Sequence, residues 1–206
     1  MILPTPSQCR NYFKQYQVPQ NIFQHCLKVQ EVSIFLTEEL NKMNQELDIK
    51  LVSSLAILHD LFKVVVFKEL KPNQYHAYQF TTKEIAMWKK LRQKYAGLYE
   101  GDVAYEVLKD DFPEFALALK KVSNPYIQDK SPEQALVHYV DWRILQEEII
   151  SLSKRVAYLK QMYSENTILI EAEAKEVTLS EKNIFAKLSF GAEELQQKMK
   201  DDKKKV

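Results

Sequence analysis

Apolar positions recur along this chain at steps of three and four, the spacing that stacks side chains on one face of an α-helix. The clearest series, Ile22, Cys26, Val29, Val32, Leu36 and Leu40, predicts a helix from about Pro19 to Met43, with Pro19 suited to its first turn. A second series, Val52, Leu55, His59, Phe62 and Val66, predicts a helix that starts at the N-cap candidate Asp48 and runs to the Lys71-Pro72-Asn73 break. The β-branched run Val64-Val65-Val66 is read as helix because it lies inside that period. Further helices are predicted over 82–95, 102–109 and 113–122, with Pro125 ending the last of these. Another should start at Ser131-Pro132-Glu133 and extend past Leu145, and one more should cover 152–164. The pattern then weakens: Glu171, Glu173, Lys175 and Glu176 form a polar stretch, Ile184, Phe185 and Leu188 are expected to dock on the core, and the tail 201–205 to fray.

Composition sharpens this into a fold class. With three glycines in 206 residues the chain lacks the turns of a β-protein, and the seven prolines fall mostly between periodic segments, so the reading is all-α. The length suits one domain with a full core, read as residues 1–165 followed by a helical extension and charged tail, 166–206. Lys and Arg number 29 against 28 Asp and Glu, a balance that argues against nucleic acid as a partner. The longest apolar run, 51–67, is broken by His59, Asp60 and Lys63 and falls short of the ~18 residues a membrane span needs. Met1 to Arg10 shows no basic-then-apolar leader, and Cys9 and Cys26 form neither a metal spacing nor a disulfide framework, so a cytoplasmic location is expected. Three scattered glycines also make no phosphate loop.

Candidate chemistry lies where polar residues interrupt the apolar stripes. His25 precedes Val29 on the first core face, and His59 occupies a core position of the second with Asp60 beside it. On the later helix His138, Asp141 and Leu145 share a face. A carboxylate buried without a partner costs several kcal/mol, so Asp60 and Asp141 call for a cation, a set of donors, or exposure. One divalent ion held by two imidazoles and two carboxylates answers that requirement, and such a mixed donor set suits Mn, Fe, Co, Ni, Zn or, less well, Mg. Hydrogen-bonded core histidines, ion pairs of the acids with Lys63 or Arg143, and solvated helix flanks are the alternatives. In a straight helix His59 and Asp60 point about 100° apart, so they share an ion only if it sits off the flank between them. The same angle argues against a thiolate-imidazole couple between Cys26 and His25.

His25, then His59-Asp60 within Leu58-His59-Asp60-Leu61-Phe62-Lys63, then Asp141 in Val137-His138-Tyr139-Val140-Asp141, resemble the H…HD…D signature of the HD family of metal-dependent phosphohydrolases. The likeness runs from Val18 to Ser164. It implies an HD-domain-like bundle of helices around a metal site, with His25, His59, Asp60 and Asp141 as ligands of one divalent metal ion. It implies hydrolysis of a phosphomonoester or nucleotide by a metal-activated water, with Asp60 available to take a proton. By the same likeness Lys63 faces the pocket and binds phosphate; the alternative is an exposed lysine paired with Glu38 or Glu39. His76, on a loop after Pro72, and His138 are candidate substrate contacts, and for His138 simple packing is the alternative. Only those two histidines lie between Asp60 and Asp141, which favours a mononuclear site. The chain also lacks the Gly-Lys ending often found after the HD pair. Substrate choice is expected in the segments 73–80 and 97–102.

Two other functions compete: a metal-binding or nucleotide-binding regulatory module without hydrolysis, and a helical adaptor whose partner site lies in 165–200. Apolar surface on the C-terminal helices would support a homodimer.

Overall fold

The computed structural model describes residues 1–71, 79–124, 127 and 129–204. Pro72 and Asn73 of the predicted break, His76, Pro125 and the last residue of the tail 201–205 therefore lie outside the described residues. Among the described residues ten α-helices account for the fold, and the one sheet is a hairpin of two-residue strands.

The first helix, α1 (Pro6–Gln15), was not predicted from periodicity. Its start is nonetheless encoded locally, because Thr5 and Gln8 form a reciprocal capping box and Pro6 opens the first turn. Cys9 and Phe13 are its buried residues. Helix α2 (Gln20–Lys42) matches expectation to within a residue at each end and buries the expected face.

Helix α3 (Ile49–Leu58) starts as predicted, with Asp48 accepting hydrogen bonds from the backbone of Lys50 and Leu51, but it stops well before the expected end. The α-helix gives way at His59 to tight turns and a 3-10 turn over Lys63–Val65. Two contacts explain the break. The His59 ring turns back and its Nδ1 meets the Ala56 carbonyl at 2.7 Å, while Ser123 Oγ donates to the His59 carbonyl at 2.6 Å. Both carbonyls thereby have side-chain partners, and the backbone continues through bonds from Leu61 N to Leu58 O and from Lys63 N to Asp60 O. Leu58, Leu61, Phe62 and Val64 are all buried, so the apolar spacing here reflects burial from several sides.

Helices α4 (Thr82–Lys94), α5 (Glu100–Leu108) and α6 (Pro113–Ser123) follow. Gly101 is required where α5 meets α6: a Cβ there would lie 2.9 Å from the Lys120 carbonyl oxygen and 3.3 Å from Ser123. Helix α7 (Pro132–Arg143) packs against α2, α3, α6 and a C-terminal helix, and most of its side chains are buried. It ends before the predicted point, since Ile144–Leu145 and Glu148–Ile149 pair as antiparallel strands β1 and β2 around Gln146, whose φ is 58°.

Helix α8 (Leu152–Met162) leads into α9 (Thr167–Phe185) and α10 (Leu195–Lys203). Ile170, Val177, Phe190, Leu195 and Met199 join the same buried cluster as α2, α3 and α7. Polar contacts reinforce that docking: Arg143, 3% exposed, donates to Glu181 Oε2 and to the Tyr139 hydroxyl, each at 2.7 Å. Among the described residues no helix is long and apolar enough to cross a membrane.

Candidate metal centre

Three elements deliver the four predicted residues to one place. His25 projects from α2, His59 and Asp60 from the turn that ends α3, and Asp141 from the last turn of α7. His25, His59 and Asp60 offer ligand atoms that all lie within 4.8 Å of one another. Asp141 stands beside this trio, its Oδ1 2.9 Å from His25 Nε2 and 3.4 Å from His59 Nε2. Asp60 Oδ2 is 4.0 Å from His25 Nε2, and its Oδ1 is 3.7 Å from His59 Nε2. The turn after Leu58 is what lets neighbours in sequence face one point, and it replaces the helix-flank geometry expected for His59 and Asp60.

Both imidazoles are oriented from behind. Nδ1 of His25 lies 3.0 Å from the Gln146 carbonyl and Nδ1 of His59 lies 2.7 Å from the Ala56 carbonyl. With a proton on each Nδ1, the neutral rings turn Nε2 lone pairs towards the two carboxylates. Lone pairs and carboxylate oxygens at these separations repel unless protons or a cation stand among them. His59 Nε2 is buried and has no hydrogen-bond partner, a costly state for a polar atom. The donor set and this orphaned nitrogen fit a divalent ion.

Electrostatics keep the acids charged. Burial works against ionisation of Asp141, but its contacts with His25 and His59 hold it well below the usual carboxylate range. Burial likewise opposes the Asp60 charge, and Lys63 and His59 outweigh it, so its pKa is lowered. His59 is raised well above an ordinary imidazole despite burial, by Asp60, the adjacent Cys26 thiol and Asp141. Cys26 is fully buried, and desolvation pushes its thiol up although His59 pulls the other way, which leaves it a poor nucleophile.

Lys63 lies beside the cluster. Its Nζ is 3.3 Å from Asp60 Oδ1 and 3.0 Å from Glu100 Oε1, so its partners are these acids and neither Glu38 nor Glu39. Burial disfavours the ammonium, yet Asp60 and Glu100 raise its pKa well above the ordinary lysine value. Glu100, in the first turn of α5, is 4% exposed and is pushed up to about 7 by burial, with Lys63 opposing. Glu100 lies inside the 97–102 segment expected to bear on substrate, but nothing in its local pattern singled it out.

His138 sits one turn before Asp141 on α7, buried, with its ring edge-on to Trp142 and its Nε2 without a partner. Burial is the main cause that drives its pKa down to about 4. Arg143 is committed to Glu181 and is not the partner of Asp141. On the α9 side Lys130 pairs with Glu176 at 2.9 Å, and Glu173 is pushed up to about 7, chiefly by burial.

A family model described as HD domain matches residues 22–159, about two thirds of the chain. The chain belongs to the HD domain family. HD domains bind divalent metals, and the family is one of metal-dependent phosphohydrolases. The matched range contains His25, His59, Asp60, Lys63, Glu100 and Asp141, whereas α9 and α10 lie beyond it. Neither a curated protein nor a solved structure matches the chain.

Proposed function

We propose that this HD domain is a phosphohydrolase that cleaves a phosphomonoester or nucleotide, with one divalent ion held by His25, His59, Asp60 and Asp141. The observation that carries this reading is geometric: His25, His59 and Asp60 offer ligand atoms within 4.8 Å of one another, Asp141 Oδ1 stands 2.9 Å from His25 Nε2, and the buried His59 Nε2 makes no hydrogen bond. When bound, such an ion acidifies a water and neutralises charge on a phosphoryl oxygen. Gln146 and Ala56 carbonyls hold the two rings so that Nε2, and not Nδ1, is offered. Asp60 has two tasks, because Oδ1 steers Lys63 while the carboxylate as a whole faces both imidazoles. Lys63 is the cation available to bind a phosphate oxygen, and it stays protonated through the neutral range. His138, neutral above about pH 4, serves as a packing residue behind Asp141 or as a contact to substrate. His76 is retained as a substrate contact from the sequence.

The test is metal content by mass spectrometry on protein dialysed without chelator, wild type beside Asp60→Ala, followed by a phosphatase screen over phosphomonoesters and nucleotides. About one equivalent in the wild type, its loss in the variant, and metal-dependent phosphate release are expected. A wild type that takes up no added metal overturns the reading. Metal and nucleotide retention without phosphate release with any divalent ion would instead identify a regulatory module.

A further inference from the structure

Glu100 has no place in the ligand set, yet the fold takes trouble to seat it. It opens α5 at the point where Gly101 allows the backbone of α5 to approach Lys120 and Ser123 of α6 more closely than any side chain would permit. Ser123 of that same junction donates to the carbonyl of His59. The α5–α6 corner therefore braces the HD turn twice, once through Ser123 and once through Glu100, whose Oε1 accepts from Lys63 Nζ at 3.0 Å. Lys63 Nζ also donates to Asp60 Oδ1, at 3.3 Å. An ammonium on a four-carbon stem normally samples many rotamers, and carboxylates on two different elements restrict it.

A carboxylate placed for stability would be expected to use both oxygens. Glu100 Oε2 is buried and has no hydrogen-bond partner, so the residue carries a desolvation cost that its bond to Lys63 offsets only in part. Fixing the Lys63 ammonium beside the ligand cluster is the return that the geometry offers for that cost.

We infer that Glu100 is the positioning residue of the phosphate subsite: by clamping Lys63 against Asp60 it presents the ammonium in one fixed place to a phosphate bound at the adjoining His and Asp cluster. The inference rests on the proposed metal-dependent reading of that cluster. A residue that acts through another must lose its effect when the other is gone, so the test is a double-mutant cycle.

The full-length protein is loaded with Mn, and its affinity for inorganic orthophosphate is measured by calorimetry in the wild type, Glu100→Ala, Lys63→Met and the double variant. Metal content and melting temperature are recorded alongside. Glu100→Ala should weaken phosphate binding about tenfold with metal content unchanged, roughly the worth of one well-placed charge-assisted hydrogen bond. In the Lys63→Met background it should have no further effect. Glu100→Asp, one methylene shorter and still charged, should weaken binding in the same direction, and it decides the matter should the alanine variant not fold. Phosphate affinity equal to wild type in both Glu100 variants overturns the inference, as does a double variant weaker by the product of the single effects. A wild type that binds Mn but no phosphate removes the subsite, and one that binds no Mn removes the proposed function with it.

Discussion

At the scale of single residues, the site turns on how each polar atom is paid for by a neighbour. His138 is the plainest case, because its imidazole is buried with Nε2 unpartnered and its pKa is pushed down to about 4. The unfolded chain takes up that proton near 6.5, so between the two values the unfolded state binds more protons and stability falls as pH falls. The loss begins near pH 6.5, is complete near pH 4, and amounts to at most about 3 kcal/mol. Urea titrations across this range should show a flatter stability profile for His138→Gln than for the wild type; equal slopes would mean that the folded imidazole accepts a proton. The lowered carboxylates work in a separate window: Asp60 and Asp141 contribute stability that is present above their ordinary range and lost only as pH drops through their depressed values.

At the scale of elements, what matters is where helices stop. Helix α3 ends at Leu58 because the His59 ring and the Ser123 hydroxyl satisfy carbonyls that a longer helix would have used. Ser123→Ala should cost about 1 kcal/mol in stability, the usual worth of one such bond, and should weaken metal binding as His59 loosens. Chemical denaturation and a metal titration on the same sample read both effects. Gly101→Ala is the complementary test on α5. Its methyl group would meet a backbone carbonyl at 2.9 Å, and backbone yields less than a side-chain tip. A loss of about 1 to 3 kcal/mol is expected from the forced separation of α5 and α6, readable as a lowered denaturation midpoint.

At the scale of the whole molecule, the segment after the family match is bound to the rest by both apolar and ionic contacts. Arg143 is buried on α7 and depends on Glu181 of α9, and Lys130 depends on Glu176 of the same helix. Removing one partner of a buried pair leaves the other charge stranded, so Glu181→Ala should destabilise the fold by about 3 kcal/mol. Truncation after Glu165 should lower the melting temperature further, since it also exposes the surface covered by Ile170, Val177 and Leu195. An unchanged melting temperature after truncation would make residues 166–206 a separable unit.

The sequence alone determined a good deal, and for a physical reason. Helix class, the bounds of α2 and the start of α3 follow from local rules, namely a 3.6-residue period and caps formed within three or four positions. His25, His59 and Asp141 were legible because they sit on apolar faces, and Asp60 as the neighbour of His59; their order resembles the signature of the family to which the chain belongs. What escaped were the contacts around those four that are made by residues distant in sequence. The break at His59 needs Ser123, the orientation of His25 needs the carbonyl of Gln146 in a hairpin that interrupts the expected helix, and the grip on Lys63 needs Glu100. No periodicity encodes such pairings, because they exist only once helices far apart in the chain have packed against one another. Tertiary structure decided how the four ligand candidates come together, and which acids hold Lys63 beside them.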